Sequence, residues 1–380
     1  MNGTQTLMIA ILVVFTADAV LLSAMILLKT VHRHIVQNQA GRRREYLLML
    51  SRHLASPNHT VPIGRRTAED PAFLDAVIDL RNAVAGPAVD RLSGILGGSG
   101  IVERQSARLR RRFPLGRRLQ AAVLLAELGD ESSVAILLEH LSDQEPEIRI
   151  QCARGLSRMQ WTPGIDAIVA RFSVETPWVR ARFADTLIGF GNKATWPLLA
   201  YIRFNHRFET EGPAAAIRTL ATIGDIQAGP VLIEILGEAE DPEVQIALVE
   251  ALGSVGGPHA HKILGERLQS GDWRLRAKAG SAFGDIGDPS AIPTLFHSLE
   301  DENWWVRRNS ASAMARLPGG IPALYAALKT DDAFAKDAAA EALADAGELI
   351  AARQRVQDGG GSGQDRLLLS HMHGDITVQA

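Results

Sequence analysis

The residues that could carry chemistry in this 380-residue chain are few, and their spacing is poor for catalysis. His259 and His261 stand two apart, a spacing compatible with a metal, but no third ligand accompanies them. His371 and His373 make an equally short pair near the C-terminus. Cys152 is the single cysteine, so neither a disulfide framework nor a cysteine metal cluster can form within the chain. It falls on the inward face of a predicted helix, where a thiol packs as a small hydrophobe. No glycine-rich phosphate loop precedes any predicted helix. This inventory implies no catalytic residue, no metal site and no cofactor, and it moves attention from reaction to recognition. The tryptophans are the residues best suited to that. Trp178, Trp273, Trp304 and Trp305 each open a predicted helix at a recurring position. Two readings stand: contacts for a partner along one edge, or packing over neighbouring helix ends. Trp161 and Trp196 fall at the other turn and are expected to pack.

The elements that must position these residues repeat. Arg276 to Glu300 reads as one amphipathic helix, a Gly287-Asp288 turn and a second helix. Seven further copies align with it. Their reference positions are Arg118, Arg149, Arg180, Pro213, Gln245, Arg276, Arg307 and Lys336, spaced 29–33 residues apart. Seven residues after each lies Leu125, Leu156, Leu187, Leu220, Leu252, Phe283, Met314 or Leu343, all apolar. Eleven after, six of the eight are glycine, as the left-handed end of a helix selects. The second and seventh copies have Gln160 and Pro318 there, and turns of different shape are expected. Second helices are predicted at about 132–142, 163–172, 194–204, 228–237, 258–268, 289–299, 320–329 and 347–356. One pair cannot bury both its faces, so the copies must stack.

The pattern resembles the HEAT-repeat family, in a short form similar to the HEAT-like repeats of phycobilisome lyases. The resemblance rests on phrases such as Ala216-Ile-Arg-Thr-Leu-Ala-Thr-Ile-Gly-Asp225 and Trp305-Val-Arg-Arg-Asn-Ser-Ala311 and spans 115–356. The period is shorter than the usual 40–47 residues. The resemblance implies an all-α fold, a HEAT-like α-solenoid of about eight helix pairs. It also implies a ladder of salt bridges between repeats, drawn from Asp143, Asp272 and Asp301 with the arginine row, which would make those arginines structural. Iron hydroxylases built on such repeats carry His-Glu dipeptides, and this chain has none. A lyase-type enzyme or enzyme subunit of the phycobilin-lyase class stays open as the rival to a scaffold.

Ahead of the repeats, residues 7–28 are apolar apart from Asp18, long enough to cross a bilayer as one helix. No Lys or Arg precedes residue 29 and no convincing cleavage site follows, which favours a retained anchor over a signal peptide. Lys29, Arg33, Arg42, Arg43 and Arg44 lie on the C-terminal side. The positive-inside rule then puts the N-terminus outside and the repeats in the cytoplasm, with a bacterial inner membrane as the expected location. Asp18 in mid-span costs roughly 2.5–3.5 kcal/mol, so it either pairs with another membrane helix or is a tolerated carboxyl.

Residues 1–118 hold 17 Lys/Arg and 8 Asp/Glu, a net of +9, whereas 119–380 hold 23 and 35, a net of −12. Residues 29–69 read as a basic juxtamembrane segment and linker, 70–114 as a helical cap with an arginine-rich neck, and 357–380 as a flexible tail. Arg42, Arg43, Arg44, Arg110, Arg111 and Arg112 suit anionic lipid or an acidic surface, or simply a solvated face. The acidic body and the single neck aromatic, Phe113, argue against nucleic acid. The expected partners are a protein along the solenoid, the membrane and anionic lipid. By analogy with membrane-bound HEAT-like proteins of bacteria, the protein would be a polysaccharide-synthesis glycosyltransferase.

Overall fold

The computed structural model describes residues 3–55, 63–97, 100–110, 114–129 and 131–373. Every regular element among them is helical. The chain forms two units, Met1–Gly155 and Leu156–Ala380.

The first unit begins with α1 (Gly3–Ala55), followed by α2 (Arg65–Glu69), α3 (Pro71–Ala83), α4 (Pro87–Gly97), α5 (Ile101–Arg110), α6 (Leu115–Leu128), α7 (Glu131–Glu139) and α8 (Pro146–Arg158), the last of which carries the boundary. The C-terminal part of α1 packs on α3. There Tyr46 meets Phe73 edge to face at 5.3 Å, and Leu50 and Leu54 are buried. Asp70 starts α3 by accepting from the Ala72 backbone N–H, which satisfies one of the free donors of the first turn.

The apolar run 7–28 lies within α1. The side chains of residues 1–20, Asp18 among them, lie outside the described residues, as do those of 24 and 26–28. Among the described residues no helix is long and apolar enough to cross a membrane.

In the second unit first and second helices alternate. They are α9 (Ile165–Val169), α10 (Pro177–Ile188), α11 (Thr195–Asn205), α12 (Glu211–Ile223), α13 (Gly229–Glu238), α14 (Pro242–Val255), α15 (His261–Arg267), α16 (Trp273–Ile286), α17 (Ile292–His297), α18 (Trp304–Arg316), α19 (Gly320–Ala327), α20 (Ala333–Asp345) and α21 (Glu348–Gln357), then α22 (Gly363–His373). The first helices α10, α12, α14, α16, α18 and α20 pack each on the next. The residue seven places after each reference position, Leu125 through Leu343, is fully buried in all eight copies. One amphipathic stripe per helix therefore becomes a continuous core within each unit.

The turns follow the glycines, with three exceptions. Gly129, Gly191, Gly224, Gly287 and Gly347 take positive φ at the eleventh position. Gln160 adopts the same conformation, φ 54°, without being glycine. Its side-chain amide donates to Ser157 O and Gly189 O and its carbonyl accepts from Lys193 Nζ, so the bonds of the side chain offset the backbone cost. In the fifth and seventh copies the left-handed residue moves one place on, to Gly257 and Gly319. For the seventh the reason is covalent, since the ring of Pro318 forbids positive φ.

The stretch expected to be a flexible tail is largely structured. The glycine run 359–361 is a tight turn in which Gly360 N donates to Arg355 O, and α22 folds back on α20 and α21 with Leu368 fully buried. Arg355 binds Asp365 at 2.5 Å, Ser362 donates to the same carboxylate from both its N–H and its hydroxyl, and His371 meets Asp337 at 2.8 Å. Composition alone could not distinguish a linker from a turn closed by a buried carboxylate. The Arg355 hydrogen bond, then those from Ser362, hold the Asp365 carboxyl at about 2, below the ordinary 3.8. A depressed carboxylate contributes stability that is complete above about pH 4 and lost as pH falls through 2. Asp365→Ala should cost about 1.5–3 kcal/mol, the worth of hydrogen bonds to a charged group. It should also abolish amide-exchange protection over 363–373 at neutral pH, and protection unchanged in the variant would disprove the clasp.

Candidate functional site

The first helices α14, α16, α18 and α20 start at an aspartate or asparagine cap, whereas α10 and α12 follow Thr176 and Thr210 with no side-chain cap bond. Asp272 accepts from Arg274 N, Asn303 from Trp305 N, and Asp332 from Ala335 N. The residues just inside these caps sit on a first turn, whose side chains project beyond the neighbouring helix. That is where Trp273, Trp304 and Trp305 lie, and Trp178 occupies the matching turn of α10. They are 40%, 41%, 50% and 54% exposed, so each keeps a large part of its surface in solvent while the rest is covered by the protein. Trp304 and Trp305 meet edge to face with centroids 4.6 Å apart, and the Arg308 guanidinium lies 5.1 Å from the Trp304 ring.

A fifth aromatic, not expected from the sequence, joins them. Phe334, two places before Lys336 as Trp305 is two before Arg307, is 61% exposed, and Arg307 lies over its ring at 4.6 Å. Its recurring position is visible in the sequence, whereas its exposure emerges only with the fold. The structure also corrects Trp196, which was expected to pack: it is 58% exposed, and Trp161 is 36% exposed. Both sit beside short 3-10 turns. Consecutive first helices α16, α18 and α20 thus present Trp273, the Trp304–Trp305 pair and Phe334 from the same helix end.

The arginine row is internal. Arg276 is buried and donates to both oxygens of Asp301 at 2.8 and 2.9 Å, and also to Ser270 O. Arg118 pairs with Asp143, Arg180 with Glu211, and Arg307 donates to the carbonyls of Asp301 and Glu302. In the fifth copy Gln245 replaces arginine and bonds Ala239 O, so Asp272 pairs with Arg274 of its own turn instead. The expected ladder is therefore present in the first unit at Arg118–Asp143 and in the second at Arg276–Asp301, and it lapses at Asp272 for want of an upstream arginine.

The arginines assigned to anionic lipid are partly spent on acids of their own unit. Arg42 binds Asp70 at 2.8 Å and Arg43 holds Asp79 through two 2.5 Å bonds. Arg110 binds Glu139 at 2.9 Å, and Arg44 is exposed. Arg111 and Arg112 lie outside the described residues. Packing of α3 against α1 brings Asp70 and Asp79 to those arginines, a juxtaposition remote in sequence.

No group of three or more His, Cys, Asp or Glu among the described residues could hold a metal ion. His261 packs on the Phe283 ring at 4.9 Å and His259 is exposed. Cys152 is fully buried, and burial pushes its thiol well above the ordinary range, which leaves it without nucleophilic character.

The repeats and the exposed aromatic edge define an all-helical, HEAT-like solenoid. A HEAT-repeat family model matches residues 197–275 and 262–344, so HEAT repeats occupy this part of the second unit. No curated protein matches the chain. Similar solved structures include an engineered protein at 19% identity, covering 85% of this chain and 98% of that one with a TM-score of 0.37. Another is the complex of CpcE and CpcF of phycocyanin lyase from Nostoc sp. PCC7120, at 20% identity over 63% and 93%, TM-score 0.34. A third is Kap95p in a complex with RanGDP, at 12% identity over 86% and 56%, TM-score 0.43. Likenesses of this degree carry no inference about activity or partner.

Proposed function

We propose that this protein is a membrane-anchored HEAT-repeat scaffold that holds a protein partner at the cytoplasmic face. The observation that carries the reading is the edge of Trp273, Trp304, Trp305 and Phe334, large apolar side chains exposed on consecutive repeats. Hydrophobic side chains scattered singly need no explanation, whereas an aligned set at the ends of three packed helices suits an interface. Burial of the catalytic-type residue Cys152 and internal pairing of the arginine row point the same way. Anchoring rests on the length and composition of residues 7–28 and on the basic residues that follow them. A polysaccharide-synthesis glycosyltransferase is the partner class that analogy suggests, and Asp18 would add a contact within the bilayer.

The test is comparative purification from membranes. The wild-type chain should retain its partner and resist extraction by alkaline carbonate. The double variant Trp273→Ala/Trp305→Ala should keep its helicity and melting temperature and lose most of the partner. Equal recovery in the variant would sink the edge as the interface, and release by carbonate would sink the anchor.

A further inference from the structure

The chemistry of that edge narrows what it can hold. Resting on the scaffold reading, we infer that the edge of α16, α18 and α20 binds an extended, proline-rich segment of the partner that also carries lysine or arginine. Three observations converge.

The first is hydrogen bonding. The edge consists of helix N-termini, whose foremost N–H groups already bond the caps Asp272, Asn303 and Asp332. It has no strand to extend. A β-strand ligand would find no backbone partners here, whereas a polyproline II helix keeps its backbone solvated and asks for none.

The second is period. Packed helices lie about 8–10 Å apart, so one aromatic per repeat recurs at about that interval. Polyproline II advances about 3.1 Å per residue with three residues per turn, roughly 9 Å. A proline at every third position would therefore meet Trp273, the Trp304–Trp305 pair and Phe334 in turn without slipping out of register. Flat proline rings stack on indole faces, and a segment already extended loses little entropy on binding.

The third is charge. The turns between these helices expose Glu300, Glu302 and Asp331. Of the nearby cations, Arg276 is held by Asp301 with Glu302 at 3.3 Å, Arg274 by Asp272 and Glu243, and Arg308 by the Trp304 face with Glu341 within 3.7 Å, while Lys329 is exposed beside Asp331. The remaining field is acidic, which complements basic side chains between the prolines and repels acidic ones.

The experiment measures tryptophan fluorescence and calorimetric binding of synthetic 12-residue peptides to the full chain in detergent. A peptide with prolines at every third position and two lysines should bind, and added salt should weaken it. Moving the prolines to every second position, or replacing both lysines by glutamate, should each weaken binding at least 10-fold. Trp305→Ala should do the same with an unchanged melting curve, and Glu302→Gln should cost about 3-fold. Equal binding of a lysine peptide without proline would overturn the inference in favour of charge alone. Failure of every peptide, while Trp305→Ala still releases the partner from membranes, would overturn this inference and leave the scaffold reading standing. Retention of the partner by Trp273→Ala/Trp305→Ala would remove the scaffold reading itself.

Discussion

Gly320→Ala should lower stability by about 3 kcal/mol or more, the upper end for forcing an atom into filled space. The cause begins at Pro318. The seventh copy has proline where six of the other seven turn on a residue of positive φ, so α18 ends early at Leu317 and Gly319 takes the left-handed conformation at φ 83°. The chain then passes so close to the end of α18 that a Cβ on Gly320 would lie 1.7 Å from Met314 O and 2.6 Å from its carbonyl carbon. Both are backbone atoms, so no rotamer change relieves the clash. Gly319→Ala meets only Ile292 at 3.8 Å and should cost the smaller left-handed penalty, about 1–2 kcal/mol. Thermal melts, with amide exchange over 304–327, would separate the two. A Gly320→Ala protein within 1 kcal/mol of wild type would show that the turn relaxes, and would refute the tight passage described for it.

Arg276→Met should cost about 3–5 kcal/mol, the range for removing one member of a buried ion pair. The variant keeps the stem volume but leaves Asp301 largely buried with its main cation gone and Ser270 O without its donor. Burial alone would push the Asp301 carboxyl up. Hydrogen bonds from Arg276 and from Asn303 N–H outweigh it and hold the group below its ordinary value. Its contribution is therefore present above the unfolded carboxyl pKa and disappears as pH falls through the lower folded value. In Arg276→Met that acid dependence should flatten or reverse. Adding Asp301→Asn to Arg276→Met should recover part of the loss, because the buried charge is then removed with its partner. The exposed Arg308→Ala, by contrast, should change stability by less than about 1 kcal/mol. If Arg276→Met behaved like Arg308→Ala in a denaturant titration, the ladder would be ornamental.

The two sites differ in how far the sequence discloses them. The Arg276–Asp301 ladder was foreseeable, because an arginine at the reference position and an acid 25 residues later recur in the repeat. The strain at Gly320 was not. The sequence shows a missing turn glycine at Pro318, but where the chain goes instead depends on backbone packing. The aromatic edge lies between these cases. Trp273, Trp304 and Trp305 were visible as recurring helix starts, yet periodicity cannot say whether a first-turn side chain faces solvent or a neighbouring helix end. Their exposure, that of Trp196, and the presence of Phe334 in the row emerge only with the fold.

By itself the sequence determined the repeat: its period, the eight core positions from Leu125 to Leu343 and most of the turn residues. These follow from local rules, namely 3.6-residue periodicity, capping and the conformational freedom of glycine, each expressed within about 30 residues. Tertiary structure alone decided which charges are spent and which surfaces remain. Arg42 and Arg43 meet Asp70 and Asp79 because α3 folds against α1, and Asp365 clasps Arg355 because a glycine turn sends α22 back onto the array. Such pairings depend on distances between residues that composition and spacing leave open. They convert part of a basic juxtamembrane segment and of a glycine-rich tail, as read from the chain, into internally paired structure.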